Sequence, residues 1–269
     1  MNPVDQIRIR DIRGTDLCRL LAHSLGRSRL WCLQNPDYTL TLRQADAFAI
    51  LKKRLDTGEP ITKILGQRSF WKDDFFTNRH VLDPRPDSEA LIQAVLNRHP
   101  DRLAPYHLLD LGTGSGCLLL SLMGAYPKAR GVGVDLSPDA LVVAQKNGEA
   151  LGRFPLWVLG SWGESLRGAF DIIISNPPYI ATEECHTLDP NIRFFDPWMA
   201  LDGGDDGLVA YRALMPQLPD LLAPGGHVFL EIGHTQAAAV ASLARENTLQ
   251  VRGIEKDLEN RDRCVILGL

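Results

Sequence analysis

The amino-acid sequence predicts an α/β protein in which a small all-helical region precedes a mostly parallel sheet of seven strands. Three patterns along the chain support this fold. Apolar residues recur at helical intervals from about residue 7 to residue 57. Strong turn and β formers are concentrated in residues 63–86, which predicts a β-hairpin linker. Short apolar segments then alternate with helical stretches to residue 269, as in parallel sheets covered by helices.

The helical region, predicted over residues 1–62, contains two amphipathic stretches. The leucines of the first stretch recur at helical spacing, namely Leu17, Leu20, Leu21 and Leu25. The segment Thr41–Gln44 fits a capping box and predicts the start of the second stretch. Gly58-Glu59-Pro60 predicts its end, because proline lacks the N–H that a continuing helix would use.

Residues 87–269 contain the predicted sheet. Each strand is a short apolar run bounded by turn formers. The strands are predicted at His107–Leu111, Gly131–Asp135, Phe154–Leu159, Phe170–Ser175, His227–Ile232, Leu249–Ile254 and Arg263–Leu269.

Composition excludes several classes of protein. No apolar run approaches the ~18 residues that a membrane-spanning helix needs, and Met1–Gln6 show no basic segment followed by an apolar one, so no signal peptide is predicted. The 5 cysteines are scattered without a C-x-x-C pair, which indicates reduced thiols in a cytoplasmic protein. A net charge of −4 argues against tight, sequence-independent binding of nucleic-acid phosphates.

A glycine-rich segment is the first candidate ligand site. The predicted strand that contains Asp110 leads into Gly112-Thr113-Gly114-Ser115-Gly116 and then into an apolar helical run. The glycines allow a tight turn and close approach to a ligand, and the N–H groups at the helix start face the crevice. The spacing is G-x-G-x-G, whereas the dinucleotide motif is G-x-G-x-x-G. The next predicted strand ends in Asp135, where a carboxylate can accept hydrogen bonds from ribose hydroxyls. Together these features predict nucleoside binding.

The second candidate site is Asn176-Pro177-Pro178-Tyr179, directly after the predicted strand Phe170–Ser175. The prolines end that strand because they have no N–H for a sheet ladder, and each holds the preceding residue extended. The segment therefore lies at a strand carboxyl end, where open α/β sheets bind ligands. It presents one amide, backbone carbonyls and one aromatic ring, which suit a planar –NH2 group. The alternative is a proline-rich turn that only ends a core strand.

Taken together, these motifs resemble the Rossmann-like methyltransferases that use S-adenosylmethionine to methylate a planar nitrogen. Within that group the chain is most similar to the bacterial peptide chain release factor N5-glutamine methyltransferase family, and the resemblance spans nearly the whole chain. Asn-Pro-Pro-Tyr alone also occurs in DNA adenine methyltransferases. The resemblance is made specific by the flanking blocks Leu20–Trp31, Gly66–Trp71, Pro84–Glu89, Ala200–Leu208 and Arg261–Arg263.

The resemblance implies S-adenosylmethionine as cofactor and a set of site residues. No metal ion is expected, because the histidines lack ligand spacing and Asp205-Asp206 fits a solvated loop. The catalytic residues would be Asn176, Pro177 and Tyr179. The Asn176 side-chain oxygen and the Pro177 carbonyl would hold the two protons of the substrate amide, with Tyr179 packed on its face. The same segment, with Pro178, would bind the substrate. The cofactor would be held by Gly112, Thr113, Gly114, Ser115, Gly116, Asp135, Trp162 and Asn176.

Two positions carry an open alternative. Trp162 matches a family position that lines the adenine pocket, whereas a tryptophan in a loop is otherwise usually a packing residue. Many members carry an acid where this chain has Ser161, which leaves open the hydrogen bond to the adenine amino group. Arg85 and Glu89 either shape the substrate entrance or form an ion pair within the linker.

The resemblance further implies that the substrate is the glutamine of the Gly-Gly-Gln loop in bacterial class I release factors, which act in translation termination. Neither stable nucleic-acid binding nor a membrane partner is expected. The alternative function is methylation of an exocyclic amine of adenine or guanine in nucleic acid. That function predicts a basic face and a target-recognition insert, and the sequence shows neither. A cofactor-binding protein without catalysis is disfavoured by the intact Asn176 and glycine segment.

Overall fold

The chain divides into two units, and a computed structural model describes its residues 7–269. The first unit ends at Gly66 and the second begins at Gln67. Met1–Gln6, which begin the predicted region 1–62 and were the basis for expecting no signal peptide, lie outside the described residues. The division into predicted regions 1–62, 63–86 and 87–269 stays a prediction.

The first unit is helical in the part that the structure describes. After a short 3-10 helix at Ile9–Asp11, its helices are α1 (Thr15–Ser24), α2 (Arg29–Gln34), α3 (Leu42–Asp56) and α4 (Ile61–Leu65). The predicted capping box starts α3, because Thr41 Oγ1 accepts from the Gln44 N–H at 3.3 Å and Gln44 Oε1 accepts from the Thr41 N–H at 2.9 Å. The apolar faces meet in a separate core around Leu20, Leu21 and Phe48.

The second unit begins with an antiparallel hairpin, β1 (Gln67–Phe70) and β2 (Asp73–Phe76). The remaining strands are β3 (His107–Leu111), β4 (Arg130–Asp135), β5 (Leu156–Leu159), β6 (Phe170–Ser175), β7 (Leu222–Glu231), β8 (Gln250–Lys256) and β9 (Asp262–Gly268). The helices are α5 (Glu89–Arg98), α6 (Cys117–Ala125), α7 (Pro138–Leu151), α8 (Thr182–Cys185), α9 (Pro190–Arg193), α10 (Val209–Leu214), α11 (Leu218–Leu221) and α12 (Ala237–Glu246). Short 3-10 helices lie at Pro86–Ser88, Trp198–Ala200 and Met215–Gln217.

The central sheet has the strand order β5-β4-β3-β6-β7-β9-β8. The pairs from β5 to β7 are parallel, and β9 is antiparallel to both of its neighbours. The predicted fold class, an α/β sheet of seven strands with a helical amino-terminal region and a hairpin, is therefore confirmed. Because the chain leaves β3 toward β4 and later returns to β6 on the other side, a crevice opens at the carboxyl ends of these strands.

Both faces of the central strands are buried. Alternate residues of β3 and β6 enter different cores: Leu109 and Ile173 pack on one side, whereas Leu108 and Ile172 pack on the other. This two-residue alternation is that of a sheet covered by helices on both faces. Because both faces of these strands are packed, the strand ends that surround the crevice are held in place. All 5 cysteines are free thiols. Over residues 7–269, the helices are too short or too polar to span a bilayer.

Candidate functional site

The glycine segment forms a tight turn between β3 and α6. Gly112, Gly114 and Gly116 have φ values of 75°, 55° and 78°, a region that residues with a Cβ rarely adopt. The turn is tied to the end of β4, because the N–H groups of Gly112 and Thr113 both donate to the Val134 carbonyl at 2.9 Å. A Cβ on Gly114 would have no neighbour within 4 Å. The turn therefore exposes its backbone to open space at Gly114.

Asp135, the last residue of β4, holds this turn through its carboxylate. Its Oδ2 accepts from the Gly114 N–H at 2.8 Å and its Oδ1 accepts from the Ser137 N–H at 2.9 Å. Burial raises the pKa of Asp135, although these backbone hydrogen bonds oppose the shift. A carboxylate has about four lone-pair sites. Asp135 therefore keeps acceptor capacity for hydroxyl groups of a ligand.

Asp110 supports the turn from inside the core. Its side chain is 1% exposed, and its Oδ2 accepts from Thr113 Oγ1 at 2.6 Å. Burial raises the pKa of the Asp110 carboxyl to about 7. The Thr113 hydroxyl is thus committed to Asp110, and Ser115 is also buried. The side chains of Thr113 and Ser115, both predicted cofactor residues, therefore have little surface available to a ligand.

One cavity lies at the carboxyl ends of β3, β4 and β6. Among its lining residues are the predicted Gly112, Thr113, Gly114, Ser115, Asp135, Trp162 and Asn176. Within the described residues, Gly116, Pro177 and Tyr179 are not part of that lining. The structure thus brings the cofactor candidates and the substrate amide candidate to one crevice, although they lie far apart in sequence.

Trp162, in the loop that follows β5, forms one wall of the cavity. Its ring is 3.5 Å from the place that a Cβ on Gly112 would take, so indole and glycine turn are neighbours. Its φ of 50° is uncommon for a residue with a side chain. The loop is held from behind, because the Gly163 N–H donates to Gln217 Oε1 at 2.8 Å. Ser161 lines the same wall.

Asn176 is half-buried at the end of β6, and its side chain is held on one side only. Its Nδ2 donates to Ser88 Oγ at 3.2 Å. Within residues 7–269 no donor is hydrogen-bonded to Asn176 Oδ1. The following Pro177 is buried, whereas Pro178 lines the cavity. The amide oxygen of Asn176 is therefore available to a ligand.

Tyr179 points toward a buried acid that the sequence patterns did not single out. Its hydroxyl lies 3.4 Å from Glu231 Oε1, and its carbonyl accepts from Gln236 Nε2 at 2.9 Å. Glu231 ends β7 and is 1% exposed. Burial raises the pKa of its carboxyl to about 7. The one signal available in the sequence was an acid at the end of an apolar strand.

Arg85 and Glu89 do not pair with each other. Arg85 Nη2 donates to Asp196 Oδ2 at 2.6 Å, whereas Glu89 Oε1 accepts from the Trp71 N–H at 3.0 Å. The alternative of an ion pair within the linker is therefore wrong, and Arg85 lines the cavity. Among the described residues, no group of three or more His, Cys, Asp and Glu side chains is arranged to hold a metal ion.

Comparison with known proteins gives matches over nearly the whole chain. Residues 10–66 match the PrmC N-terminal domain, and residues 81–194 match the Methyltransferase small domain. A release factor glutamine methyltransferase of Rhodospirillum rubrum is 44% identical, covering 92% of this chain and 77% of the relative. One of Caulobacter vibrioides is 39% identical, covering 96% and 90%. The crystal structure of a methyltransferase from Pyrococcus furiosus has a TM-score of 0.56 and 17% identity, covering 81% and 98%, and so shares the fold.

Proposed function

We propose a function for this site from the premise that the chain belongs to the release factor glutamine methyltransferase family. The protein transfers a methyl group from S-adenosylmethionine to the side-chain amide of a release-factor glutamine. Glutamine has one side-chain nitrogen, N5, so that atom is the acceptor. The observation that carries the assignment of residues is the shared cavity, which is lined by Gly114, Asp135 and Asn176.

The cofactor residues are assigned by their fit to a nucleoside. The Asp135 carboxylate would accept hydrogen bonds from the ribose hydroxyls, and the Gly112–Gly116 turn would lie against the ribose and the methionine part. Open space at Gly114 supports a close approach of the ligand to the backbone. The Trp162 indole would pack on the adenine. When bound, S-adenosylmethionine supplies a methyl group activated by the positive charge of the sulfonium.

The substrate amide needs orientation more than it needs a base. A carboxamide nitrogen is a poor nucleophile because its lone pair is delocalised into the carbonyl. Asn176 Oδ1 and the Pro177 carbonyl would accept its two protons and so direct the lone pair toward the methyl group. Orientation of this kind can contribute ~7–11 kcal/mol. The proton leaves after attack, and the role of Tyr179, as a ring near the amide, stays a prediction.

We propose as substrate the glutamine of the Gly-Gly-Gln loop in class I release factors, with the first unit gripping the factor outside the loop. A thin glycine loop can enter a crevice that a bulkier segment cannot. The net charge of −4 supports a protein substrate over stable nucleic-acid binding. A cytoplasmic location follows from the same proposal, because release factors act on the ribosome.

Replacing Asn176 by alanine separates binding from catalysis. The variant should bind S-adenosylmethionine with nearly unchanged affinity, whereas kcat should fall ~100-fold because the nucleophile is no longer oriented. Labelled cofactor, intact release factor and mass spectrometry would measure the rate and locate the methyl group. The matched control is Asn97→Ala, which removes an exposed asparagine of α5 outside the cavity.

Two results would overturn this proposal. A folded Asn176→Ala protein with the wild-type rate would show that Asn176 only ends a strand. Labelling of DNA or ribosomal RNA, with the release-factor glutamine unmodified, would favour an exocyclic-amine methyltransferase.

A further inference from the structure

Two buried polar residues contact the segment Asn176–Tyr179, and one of them, Ser88, also lines the cavity. Ser88 ends the 3-10 helix before α5 and is 2% exposed, and Glu231 ends β7 and is 1% exposed. Asn176 Nδ2 donates to Ser88 Oγ at 3.2 Å, and the Tyr179 hydroxyl lies 3.4 Å from Glu231 Oε1. The Ser88 hydroxyl also lies near the Glu231 carboxylate and lowers the pKa of that carboxyl, whereas Glu231 Oε2 has no hydrogen-bond partner among residues 7–269. Asn176, Ser88 and Glu231 thus belong to one polar cluster.

The direction of these hydrogen bonds follows from counting protons. A serine hydroxyl has one proton to donate, and an ionised carboxylate only accepts. The charge of an ionised Glu231 attracts the Ser88 proton, which leaves the Ser88 oxygen to accept from the –NH2 group of Asn176 at 3.2 Å. With its nitrogen bonded to Ser88, Asn176 keeps its side-chain oxygen free for a ligand in the cavity that it lines. An asparagine without such a partner has no reason to prefer this orientation over the flipped one.

We propose that Ser88 and Glu231 are positioning residues that orient the Asn176 amide, so that its oxygen meets the –NH2 group of the substrate. This inference rests on the proposed function, in which Asn176 Oδ1 accepts a proton of the glutamine amide. Neither residue touches the reacting atoms. Their effect is to exclude the flipped Asn176, which would present its own –NH2 group to that of the substrate and repel it.

Protonation of Glu231 would reverse this arrangement. A protonated carboxyl can donate to Ser88 Oγ, which frees the serine proton to point at Asn176 and favours its oxygen there. Burial raises the pKa of Glu231 to about 7, opposed by the nearby Ser88 hydroxyl and by the charge of Arg263. The titratable and charged groups that face Glu231 are Asp87, Cys117, Tyr179, Tyr211, Arg263 and Cys264. The tyrosine and cysteine pKa values among these are all raised by burial, so these groups stay neutral when Glu231 titrates.

The test compares Ser88→Ala and Glu231→Gln with the wild-type enzyme acting on intact release factor. Ser88→Ala should lower kcat roughly 5- to 10-fold, the effect of one lost hydrogen bond, with the Kd of S-adenosylmethionine unchanged. Wild-type kcat should rise with pH through about 7 as Glu231 ionises. Glu231→Gln should remove that dependence, because a glutamine side chain does not titrate. The control is Ser121→Ala, which removes a buried serine hydroxyl of α6 that has no hydrogen-bond partner within residues 7–269.

The outcomes distinguish this proposal from the one on which it rests. Failure of the wild-type enzyme to methylate the release-factor glutamine would refute the proposed function. An active wild type with an unchanged kcat in Ser88→Ala would refute the positioning role alone. A wild-type pH profile retained in Glu231→Gln would do the same. Should Glu231→Gln fail to fold, the comparison of Ser88→Ala with Ser121→Ala still decides.

Discussion

Replacing Asp135 by asparagine tests the cofactor side of the site. Both carboxylate oxygens accept a backbone N–H, from Gly114 at 2.8 Å and from Ser137 at 2.9 Å. Asparagine has one acceptor oxygen, so in either orientation of its amide one of these N–H groups faces an –NH2 group. The substitution keeps the side-chain volume. It therefore changes hydrogen bonding and charge without creating a cavity.

The substitution should weaken cofactor binding and also lower the stability of the fold. Hydrogen bonds to a charged group are worth ~1.5–3 kcal/mol, and 1.4 kcal/mol is a factor of ten, so the Kd of S-adenosylmethionine should rise about 10- to 150-fold. A buried N–H without a partner costs ~1–3 kcal/mol of unfolding free energy. Burial already raises the pKa of Asp135, so the charged carboxylate is costly to bury. A neutral amide avoids that cost, so the loss of unfolding free energy should lie near the lower end of the ~1–3 kcal/mol range.

Calorimetric titration gives the Kd, and urea unfolding gives the stability. Asp171→Asn is a matched control, because Asp171 also accepts a backbone N–H, from His107 at 2.8 Å, but lies near the start of β6 at the opposite end of the sheet. Asp171→Asn should leave the Kd unchanged. An unchanged Kd in Asp135→Asn, or an equal loss of affinity in both variants, would refute the reasoning.

Two further substitutions probe the glycine turn. Gly114→Ala and Gly116→Ala both force a side chain into positive φ, which costs ~1–2 kcal/mol each. Gly116→Ala should be the less stable variant in urea unfolding, because its Cβ would also lie 3.0 Å from the Trp157 ring. Nothing lies within 4 Å of the corresponding Cβ at Gly114. Equal stabilities would contradict this. Burial raises the pKa of Asp110 from 3.8 to about 7, so the folded protein binds this proton more tightly than the unfolded chain and loses stability as pH rises through that range. Asp110→Asn should remove this pH-dependent loss of stability, which amounts to at most ~4 kcal/mol. Parallel stability–pH curves for wild type and variant would argue against it.

Strand positions were predictable where local chemistry sets both ends. The observed β6 agrees with the predicted Phe170–Ser175, because the prolines after it have no N–H for the ladder. The prediction for β5 was wrong at its start, since the strand begins at Leu156, and Pro155 before it cannot donate.

The start of β7 was also wrong, and for a tertiary reason. The strand begins at Leu222 because that residue pairs with Phe170 of β6, across an irregularity in the register. The intervening Pro224-Gly225-Gly226 has the composition of a turn, and only the neighbouring strand shows that it is part of the sheet.

The sequence by itself determined the parts of this protein that depend on local backbone chemistry. Glycine recurs at 112, 114 and 116 because each position has positive φ, and proline follows Asn176 where the strand must end. The tertiary structure alone decided the surroundings of Asn176. Its partner Ser88 is 88 residues away in sequence, and Glu231 comes near because β7 lies beside β6. Local patterns specify φ, hydrogen-bonding capacity and periodicity, whereas strand order depends on the packing of the whole chain, and it is strand order that brings a buried acid near the amide.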